Sequence, residues 1–204
     1  MPPTDPSSNP YFDRIVADLT LSRDVLDRTL ADRTFLDDVG WAAAIVTKAL
    51  ADGHKVMLAG NGGSAADAQH LAGELVARFR FDRAALPGLA LTTDTSVLTA
   101  IGNDYGYEQV FSRQISAFGR AGDVFIAFST SGRSPNILAA CRVAKAAGIA
   151  TIGFTGASGG LIADLCDVVL KVPSDSTPLI QQIHITVGHV ICSIAEDALF
   201  GQSR

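Results

Sequence analysis

Apolar residues are spaced differently before and after about residue 54. In the first part, residues such as Phe12, Val16 and Leu19 recur every three or four positions, and a second stretch of this kind ends at Gly53. This spacing predicts two N-terminal helices. In the second part, five short apolar runs alternate with helical segments and lie at residues 55–60, 88–93, 123–129, 150–156 and 167–172. Runs of this length are typical of strands that are buried on both faces.

The alternation of strands and helices predicts the fold class. Units of strand, helix and strand make right-handed crossovers and build an open parallel sheet with helices on both faces. We therefore predict a flavodoxin-like, three-layer α-β-α sandwich with a five-stranded parallel sheet, two N-terminal helices and a long C-terminal helix over residues 177–200. No repeat or linker divides residues 11–204, so they are expected to form one domain. The proline-rich segment 1–10, MPPTDPSSNP, lacks the pattern of a signal peptide and is predicted to be a disordered arm.

Two loops of the predicted sheet have the composition of an anion site. Ligands of open parallel sheets bind beyond the carboxyl ends of the strands, where Asn61-Gly62-Gly63-Ser64 follows the first strand. Such a glycine turn lets backbone amides approach an anion at the start of a helix. The third strand is followed by a loop rich in hydroxyl groups, with Ser129, Thr130, Ser131 and Ser134. Each loop alone is equally well explained as an ordinary turn with a serine cap, but the two together favour a phosphate ligand.

Titratable side chains occur on two of the predicted helices. His70 and Glu74 are four residues apart and therefore share one face of the helix that follows the first loop. The final helix carries Gln181, His184 and His189 in a run otherwise rich in isoleucine and valine. Taken alone, the first pair is more often a solvated helix pair, and a histidine in an apolar helix is more often a hydrogen-bonded core residue. The residues themselves leave a catalytic and a structural interpretation open.

Composition and charge narrow the classes of function. The 204 residues are 48% hydrophobic and 18% charged, which predicts an apolar subunit interface. A net charge of −5 gives no overall positive field, so we expect neither nucleic acid nor a membrane as a partner. Neither loop has the G-x-G-x-x-G motif or the P-loop lysine, so no nucleotide cofactor is expected. The three cysteines Cys141, Cys166 and Cys192 form no C-x-x-C pair, which favours reduced thiols and a cytoplasmic location.

Four segments carry a resemblance to a known family: GNGGSAADAQHLAGELVARF, TAIGNDYGYEQVFSRQ, STSGRSPN and IQQIHITVGH. They closely resemble the phosphoheptose isomerases of the sugar isomerase (SIS) superfamily, and the likeness spans nearly everything after the proline-rich arm. It implies isomerisation of D-sedoheptulose 7-phosphate to D-glycero-D-manno-heptose 7-phosphate. That reaction is the first step towards ADP- or GDP-linked heptose for lipopolysaccharide and other surface polysaccharides. The resemblance also implies a cytoplasmic homotetramer with active sites where subunits meet.

The resemblance assigns roles to the matching positions. The phosphate would be bound by Ser129, Thr130, Ser131 and Ser134, and the sugar by Asn61, Gly62, Gly63, Ser64, Glu74, Asn103, Asp104 and Gln181. The catalytic pair would be Glu74 and His189, and some family members bind zinc at the positions of His70, Glu74, Gln181 and His189. On a straight helix, about 12 Å of rise separates Gln181 from His189. Either that helix begins irregularly or Gln181 is a weak ligand. His184 lies outside the ligand set and is interpreted as structural.

The implied chemistry needs two groups that handle protons. A ketose becomes an aldose when a proton leaves the carbon beside the carbonyl and one returns to the neighbouring carbon through an enediol. We assign Glu74 to the carbon-bound proton and His189 to the oxygen-bound proton, and the reverse assignment stays open. A zinc ion would polarise the carbonyl as a Lewis acid.

Two other functions compete with this one. A non-catalytic SIS protein, such as the relatives that bind the replication initiator DnaA, would keep the fold and the tetramer. Those relatives lack the glutamate and the second histidine that stand here at Glu74 and His189. An isomerase of a different sugar phosphate is the other alternative. Two departures from the family pattern bear on it, because Gln182 replaces a usual glutamate and Arg133 stands where small or polar residues are commoner.

Overall fold

The computed structural model describes residues 9–201. The predicted arm over residues 1–10 therefore lies outside the described residues, except for Asn9 and Pro10. The Asn9 side chain accepts a hydrogen bond from the Tyr11 amide at 3.0 Å, and the Asn9 carbonyl accepts one from the Phe12 amide at 3.2 Å. The first helix begins directly after this turn, at Phe12.

The described residues contain the helices and strands that the sequence predicted. The helices are α1 (Phe12–Ala31), α2 (Arg33–Ala51), α3 (Gly63–Val76), α4 (Thr95–Tyr105), α5 (Ser112–Phe118), α6 (Pro135–Ala146) and α7 (Thr177–Phe200). The strands are β1 (Val56–Ala59), β2 (Gly88–Ala90), β3 (Val124–Phe128), β4 (Ala150–Thr155) and β5 (Val168–Lys171). Each strand lies inside one of the five apolar runs, and α7 has the predicted bounds.

The five strands form one parallel sheet in the order β2-β1-β3-β4-β5. The chain first places β2 on one side of β1 and then returns to place β3 on the other side. The connections that follow β1 and β3 therefore diverge to opposite faces of the sheet and leave a crevice between them, where ligands bind in this topology. The prediction of a three-layer α-β-α sandwich with a five-stranded parallel sheet is confirmed.

Alternate residues of each central strand point to opposite helical layers. Leu58 and Ile126 pack in one core with helices α2, α3 and α7, whereas Met57 and Phe125 pack in the other with α5 and α6. All four side chains are buried. Because both faces of the sheet are covered, its strands have continuous apolar runs instead of alternating polar and apolar residues.

Helix α1 leaves most of its apolar side chains exposed in the isolated chain. Its buried residues are Val25 and Thr29. The residues whose spacing predicted this helix are 39% to 66% exposed, and they are Phe12, Val16, Leu19, Leu26 and Leu30. Trp41 of α2 is 65% exposed as well. The apolar spacing predicted this helix correctly, but the apolar face that it marks is not covered by the chain itself. Large exposed apolar surfaces of this kind mark sites of interaction.

Helix α7 lies in the same helical layer as α2 and α3, and it packs against both of these helices and against α1. Within residues 9–201, it is the one helix whose length and composition would also suit a membrane span, and half of its most apolar stretch is buried inside the molecule. Where it meets α3, a Cβ atom on Gly188 would overlap the Leu71 side chain. The two helices approach closely because Gly188 has no side chain.

His184 of α7 is a core residue, as the sequence suggested. Its side chain is fully buried, and its ring meets Phe154 edge-on with centroids 5.4 Å apart. Nε2 lies 3.3 Å from the Thr155 carbonyl oxygen, and a carbonyl only accepts, so Nε2 carries the proton and donates. Burial lowers the pKa of His184 to about 4, although the hydrogen bond to Thr155 acts in the opposite direction.

We expect His184 to make the protein less stable in acid. Its folded pKa of about 4 lies below the ordinary value, which is about 6.5, so the unfolded chain takes up the proton first as the pH falls. The stability linked to neutral His184 is fully present above about pH 6.5 and is lost towards pH 4, by roughly 3 kcal/mol in total. Denaturant unfolding at about pH 7.5 and about pH 4.5 measures this loss.

The matched variant is His184→Gln, which keeps a donor for the Thr155 carbonyl and removes the titrating ring. At the higher pH, the difference in the free energy of unfolding between the variant and the wild-type protein gives the cost of the substitution itself. The variant should then lose less stability on acidification than the wild-type protein, by most of the expected amount. Equal losses in the two proteins would mean that His184 contributes nothing to the acid sensitivity.

Candidate active site

The loop after β1 brings the start of α3 against α7. Gly62 has a φ of 57°, which favours glycine, and a Cβ atom on Gly63 would lie 2.7 Å from Nε2 of Gln181. That Nε2 atom donates a hydrogen bond to the Ser64 hydroxyl at 3.3 Å, across 117 positions of sequence. The turn thus favours a glycine at position 62, and at position 63 the absence of a side chain lets the Gln181 carboxamide approach the backbone.

Asn61 joins this loop to the loop after β3 through Asn136. The two side-chain amides exchange hydrogen bonds of 3.0 and 2.8 Å, and the Tyr107 hydroxyl donates another to Asn61 Oδ1 at 3.3 Å. Asn136 is buried in the first turn of α6. Sequence reasoning missed Asn136 and Tyr107, although both stand inside segments that carried the family resemblance. The asparagine pair fixes the two loops of the crevice relative to each other.

The hydroxyl-rich loop folds tightly ahead of α6. The Ser129 and Ser134 hydroxyl oxygens are 3.0 Å apart, and the Ser131 hydroxyl accepts a hydrogen bond from the Arg133 amide at 3.2 Å. Gly132 allows the turn with a φ of 63°. Ser134 precedes α6 without a side-chain hydrogen bond to the first amides of the helix, so the interpretation of this loop as an ordinary serine cap is wrong. Hydroxyl groups instead gather before a helix N-terminus, which is suited to an anion.

Three side chains from two helices converge in the site. His70 and Glu74 lie on α3, and His189 lies on α7. The His70 Nε2 atom is 3.1 Å from Glu74 Oε1 and 3.1 Å from His189 Nε2, and the Glu74 and His189 atoms are 4.0 Å apart. The structure therefore brings together the predicted catalytic pair, from distant parts of the sequence.

The surroundings of His189 lower the pKa of its imidazole. Burial lowers the pKa of its imidazole, the neighbouring His70 lowers it further, and the Glu74 carboxylate acts in the opposite direction. The Phe79 ring stacks on the imidazole, with centroids 5.4 Å apart and planes 20° from parallel. A neutral imidazole is able to accept a proton or to bind a metal ion. Sequence reasoning missed Phe79, because nothing in the local pattern places it over a residue of α7.

Asp67 is a further carboxylate beside this group. It precedes His70 by three positions and Glu74 by seven, so the three share one face of α3. Burial raises the pKa of its carboxyl to about 6, and the nearby His70 acts in the opposite direction. Its Oδ2 atom is buried without a hydrogen-bond partner among residues 9–201. Sequence reasoning missed Asp67 too, and its helical spacing from His70 and Glu74 is the signal that finds it.

Asn103, Asp104 and Thr130 are less closely tied to the site. The Asn103 amide donates to the Asp104 carboxylate at 2.7 Å, and both residues are exposed on α4. Within the described part of the chain, this pair has no hydrogen bond to another predicted site residue. Thr130 is partly buried, and its carbonyl accepts the amide hydrogen of Gly156 at 3.0 Å. The roles of these three in substrate binding stay predictions.

The converging side chains suit a zinc ion. Zinc is bound by histidine nitrogens and carboxylate oxygens at about 2.0–2.2 Å, mostly in tetrahedral geometry, which places neighbouring ligand atoms about 3.3 Å apart. One ligand atom from each of His70, Glu74 and His189 lies within 4.8 Å of the others. The sequence also predicted Gln181 as a ligand, but here its carboxamide binds Ser64. Helix α7 is continuous from Thr177, so the irregular start considered for it is wrong.

The chain is similar in sequence to known proteins. Residues 22–156 match the family model of the SIS domain. The phosphoheptose isomerase of Burkholderia pseudomallei is 58% identical over 178 residues, which are 87% of this chain and 90% of that protein. The phosphoheptose isomerase of Aneurinibacillus thermoaerophilus is 54% identical over 188 residues, which are 92% of this chain and 95% of that protein.

Solved structures of the same kind superpose over most of the chain. The phosphoheptose isomerase of Neisseria gonorrhoeae has a TM-score of 0.85 at 40% identity, and the match covers 91% of this chain and 98% of that one. The phosphoheptose isomerase of Francisella tularensis has a TM-score of 0.87 at 34% identity, with the same coverage. Sequence and fold therefore agree that the chain belongs to the phosphoheptose isomerases, sugar-phosphate isomerase enzymes of the SIS superfamily.

Proposed function

We propose that the protein converts D-sedoheptulose 7-phosphate to D-glycero-D-manno-heptose 7-phosphate through an enediol. The observation that carries this proposal is the meeting of Glu74 and His189, whose reactive atoms are 4.0 Å apart. The product would enter the route to ADP- or GDP-linked heptose for surface polysaccharides. The names of the relatives at 58% and 54% identity support this choice of substrate.

The phosphate group is bound by the loop between β3 and α6. Its hydroxyl groups donate hydrogen bonds to the phosphate oxygens, and the first amides of α6 add the positive end of a helix dipole. Local binding of this kind is needed because the chain has a net charge of −5 and attracts no anion at long range. The residues that we assign to this role are Ser129, Thr130, Ser131 and Ser134.

The sugar chain lies between the two loops of the crevice. The Asn61 and Gln181 carboxamides each offer donors and an acceptor, which suits a row of hydroxyl groups. Gly62 leaves open space beside the backbone, Gly63 admits the Gln181 carboxamide to the sugar site, and Ser64 contributes a hydroxyl. Asn103 and Asp104 complete the assigned set from the end of α4. This polar lining fixes the reacting carbons beside Glu74 and His189.

Glu74 and His189 divide the proton transfers. The Glu74 carboxylate takes the proton from the carbon beside the carbonyl and returns it to the neighbouring carbon. His189, which is held neutral, moves the proton between the two oxygens of the enediol. The reverse assignment uses the same two groups, and both schemes need them to reach adjacent atoms of one substrate.

A zinc ion is the cofactor that these residues would hold. His70, Glu74 and His189 are the assigned ligands, and Gln181 is the assigned fourth ligand. When bound, zinc would supply a Lewis acid that polarises the substrate carbonyl. The chain's own residues would still position the substrate and move its protons.

Two alternatives remain distinguishable by experiment. A non-catalytic protein that binds DnaA needs no proton-handling pair, so the convergence of Glu74 and His189 favours the enzyme. An isomerase for another sugar phosphate would use the same pair, and Arg133 and Gln182 are the departures that bear on it. Parallel assays with other ketose phosphates separate that alternative from the proposed substrate.

We expect Glu74→Gln to abolish turnover without unfolding the protein. The amide cannot accept the substrate proton, so kcat should fall by about 10²- to 10⁴-fold. Product formation from sedoheptulose 7-phosphate measures the loss. In D₂O, the wild-type protein should also introduce deuterium at C1 or C2 of the product.

The control is Asp52→Asn, which makes the same change from carboxylate to amide at the exposed end of α2, where Asp52 pairs with Lys48. This variant should keep the wild-type rate. A Glu74→Gln protein with near-normal kcat would remove Glu74 from the mechanism. A wild-type protein that does not act on sedoheptulose 7-phosphate would refute the proposed substrate.

We expect protein purified without chelator to hold about one zinc ion per chain. His70→Gln removes one ligand, and its metal content should fall towards background. Elemental analysis of the purified protein measures both values. His54→Gln, at a histidine outside the group, should leave the metal content unchanged. A metal-free sample with full activity would reject zinc as a cofactor.

We further propose that residues 11–204 form one SIS domain and that four copies assemble into a homotetramer with active sites at subunit interfaces. The exposed apolar side chains of α1 and Trp41 support assembly, because a second copy would cover them. A cytoplasmic location agrees with three free cysteines and a phosphorylated substrate.

We expect Leu19→Asp to disrupt this assembly, because it places a charge among the exposed apolar residues of α1. Sedimentation velocity should show a shift from four chains to smaller species. Arg14→Asp puts the same carboxylate on another side of α1, where Arg14 is 79% exposed, and it should leave the tetramer intact. A wild-type protein that sediments as a monomer would contradict the proposed assembly.

A further inference from the structure

A buried ion pair lies behind the catalytic pair. Arg83, in the segment between α3 and β2, and Glu196 of α7 have side chains that are 2% and 1% exposed. The Arg83 Nε atom donates to Glu196 Oε1 at 2.9 Å. The mechanism proposed above uses neither residue. A buried ion pair is also weak evidence for stability, because both charges must leave water.

Arg83 holds the end of α3. Its Nη2 atom donates to the Glu74 carbonyl and its Nη1 atom to the Leu75 carbonyl, both at 2.8 Å. These carbonyls lie in the last turn of α3, where the helix itself offers them no partner. The planar guanidinium thereby fixes the backbone that carries the Glu74 side chain.

Glu196 holds the segment that follows α3. Its two carboxylate oxygens accept hydrogen bonds from the Phe79 amide at 2.9 Å and from the Arg80 amide at 2.7 Å. Burial alone would raise the pKa of Glu196, but these hydrogen bonds and Arg83 outweigh it and lower the pKa, so the carboxylate stays charged. The Phe79 backbone is fixed in this way, and the Phe79 ring stacks on His189.

Arg83 and Glu196 together connect the two helices that carry the catalytic pair. Glu196 and His189 are seven residues apart on α7 and lie on the same face, because seven residues are about two helical turns. Arg83 joins that face of α7 to the last turn of α3, at Glu74. The ion pair therefore sets the position of α3 along α7, which in turn sets the distance between Glu74 and His189.

We propose that Arg83 and Glu196 are positioning residues, which hold the Glu74 carboxylate and the Phe79 ring in register with His189. They act through backbone hydrogen bonds and touch no substrate. The inference rests on the proposed function, because it takes Glu74 and His189 as the reacting groups.

The first test is Arg83→Lys, which keeps a positive charge for Glu196 but replaces three donor nitrogens with one, so it cannot reproduce the fork that spans Glu196 and both carbonyls of α3. We expect kcat to fall by about tenfold to a hundredfold, because a shift of about 1 Å in a reacting group costs this much. KM should stay within about twofold, because the assigned phosphate loop is on the distant connection from β3 to α6.

A matched pair of variants separates positioning from general destabilisation. Glu196→Gln and Asp123→Asn each turn a buried carboxylate into an amide. Asp123 accepts hydrogen bonds from the Lys55 and Arg120 amides and from the Lys55 ammonium group, at the amino end of β3 and away from the crevice. Melting temperatures should fall in both variants, but only Glu196→Gln should lower kcat.

A second readout does not depend on turnover. The protein has four histidines, so the ring protons of His189 are readily assigned by NMR with a His189→Gln variant. The stacked Phe79 ring shifts these signals. In Arg83→Lys and Glu196→Gln the His189 signals should move, whereas in Asp123→Asn they should keep their wild-type positions.

The outcomes distinguish the two proposals. A wild-type protein that is inactive on sedoheptulose 7-phosphate refutes the proposed function, and the NMR signals then decide the positioning role alone. A wild-type kcat and unmoved His189 signals in Arg83→Lys would overturn the inference. Equal losses of kcat in Glu196→Gln and Asp123→Asn would also overturn it, because both would then act through stability.

Discussion

The close packing of α3 against α7 is the contact on which the candidate site depends. Gly188 contributes to this packing, because it presents no side chain to Leu71 and a Cβ atom there would overlap the Leu71 side chain. At this packing, His189 Nε2 lies 3.1 Å from His70 Nε2 and 4.0 Å from Glu74 Oε1. Isomerisation through an enediol needs two proton-handling groups at adjacent atoms of one substrate. A glycine in a helix interior costs some helix stability, and here it accompanies the close approach of the two helices that carry the proposed catalytic pair.

The sheet topology places the substrate-binding loops beside this helix pair. Because β1 lies between β2 and β3, the connections after β1 and β3 part at a crevice. The hydrogen-bonded pair of Asn61 and Asn136 joins the two loops across it. Ser64 and Gln181 join the first loop to α7. The proposed phosphate loop and the proposed catalytic pair are thus parts of one connected framework.

Much of the fold was predictable from local pattern, and part of the site was not. Strands with apolar residues at every position and helices with a regular apolar repeat are recognisable in a window of a few residues. The repeat in α1 predicted the helix correctly, yet its residues lie on a face that the chain leaves open. Phe79 and Arg83 stand in a segment without regular pattern, and their importance follows from what α7 places against them.

The sequence by itself determined the five strands, the order of helices and the residue types available for chemistry, because burial and backbone preference are local properties that repeat with the geometry of each element. Only the tertiary structure decided that Glu74 and His189 meet, that Gln181 binds Ser64, and that Arg83 pairs with Glu196. Each of these contacts joins α7 to residues more than a hundred positions away. Their distances are set by how closely two helices pack on one sheet, and no local pattern contains that information.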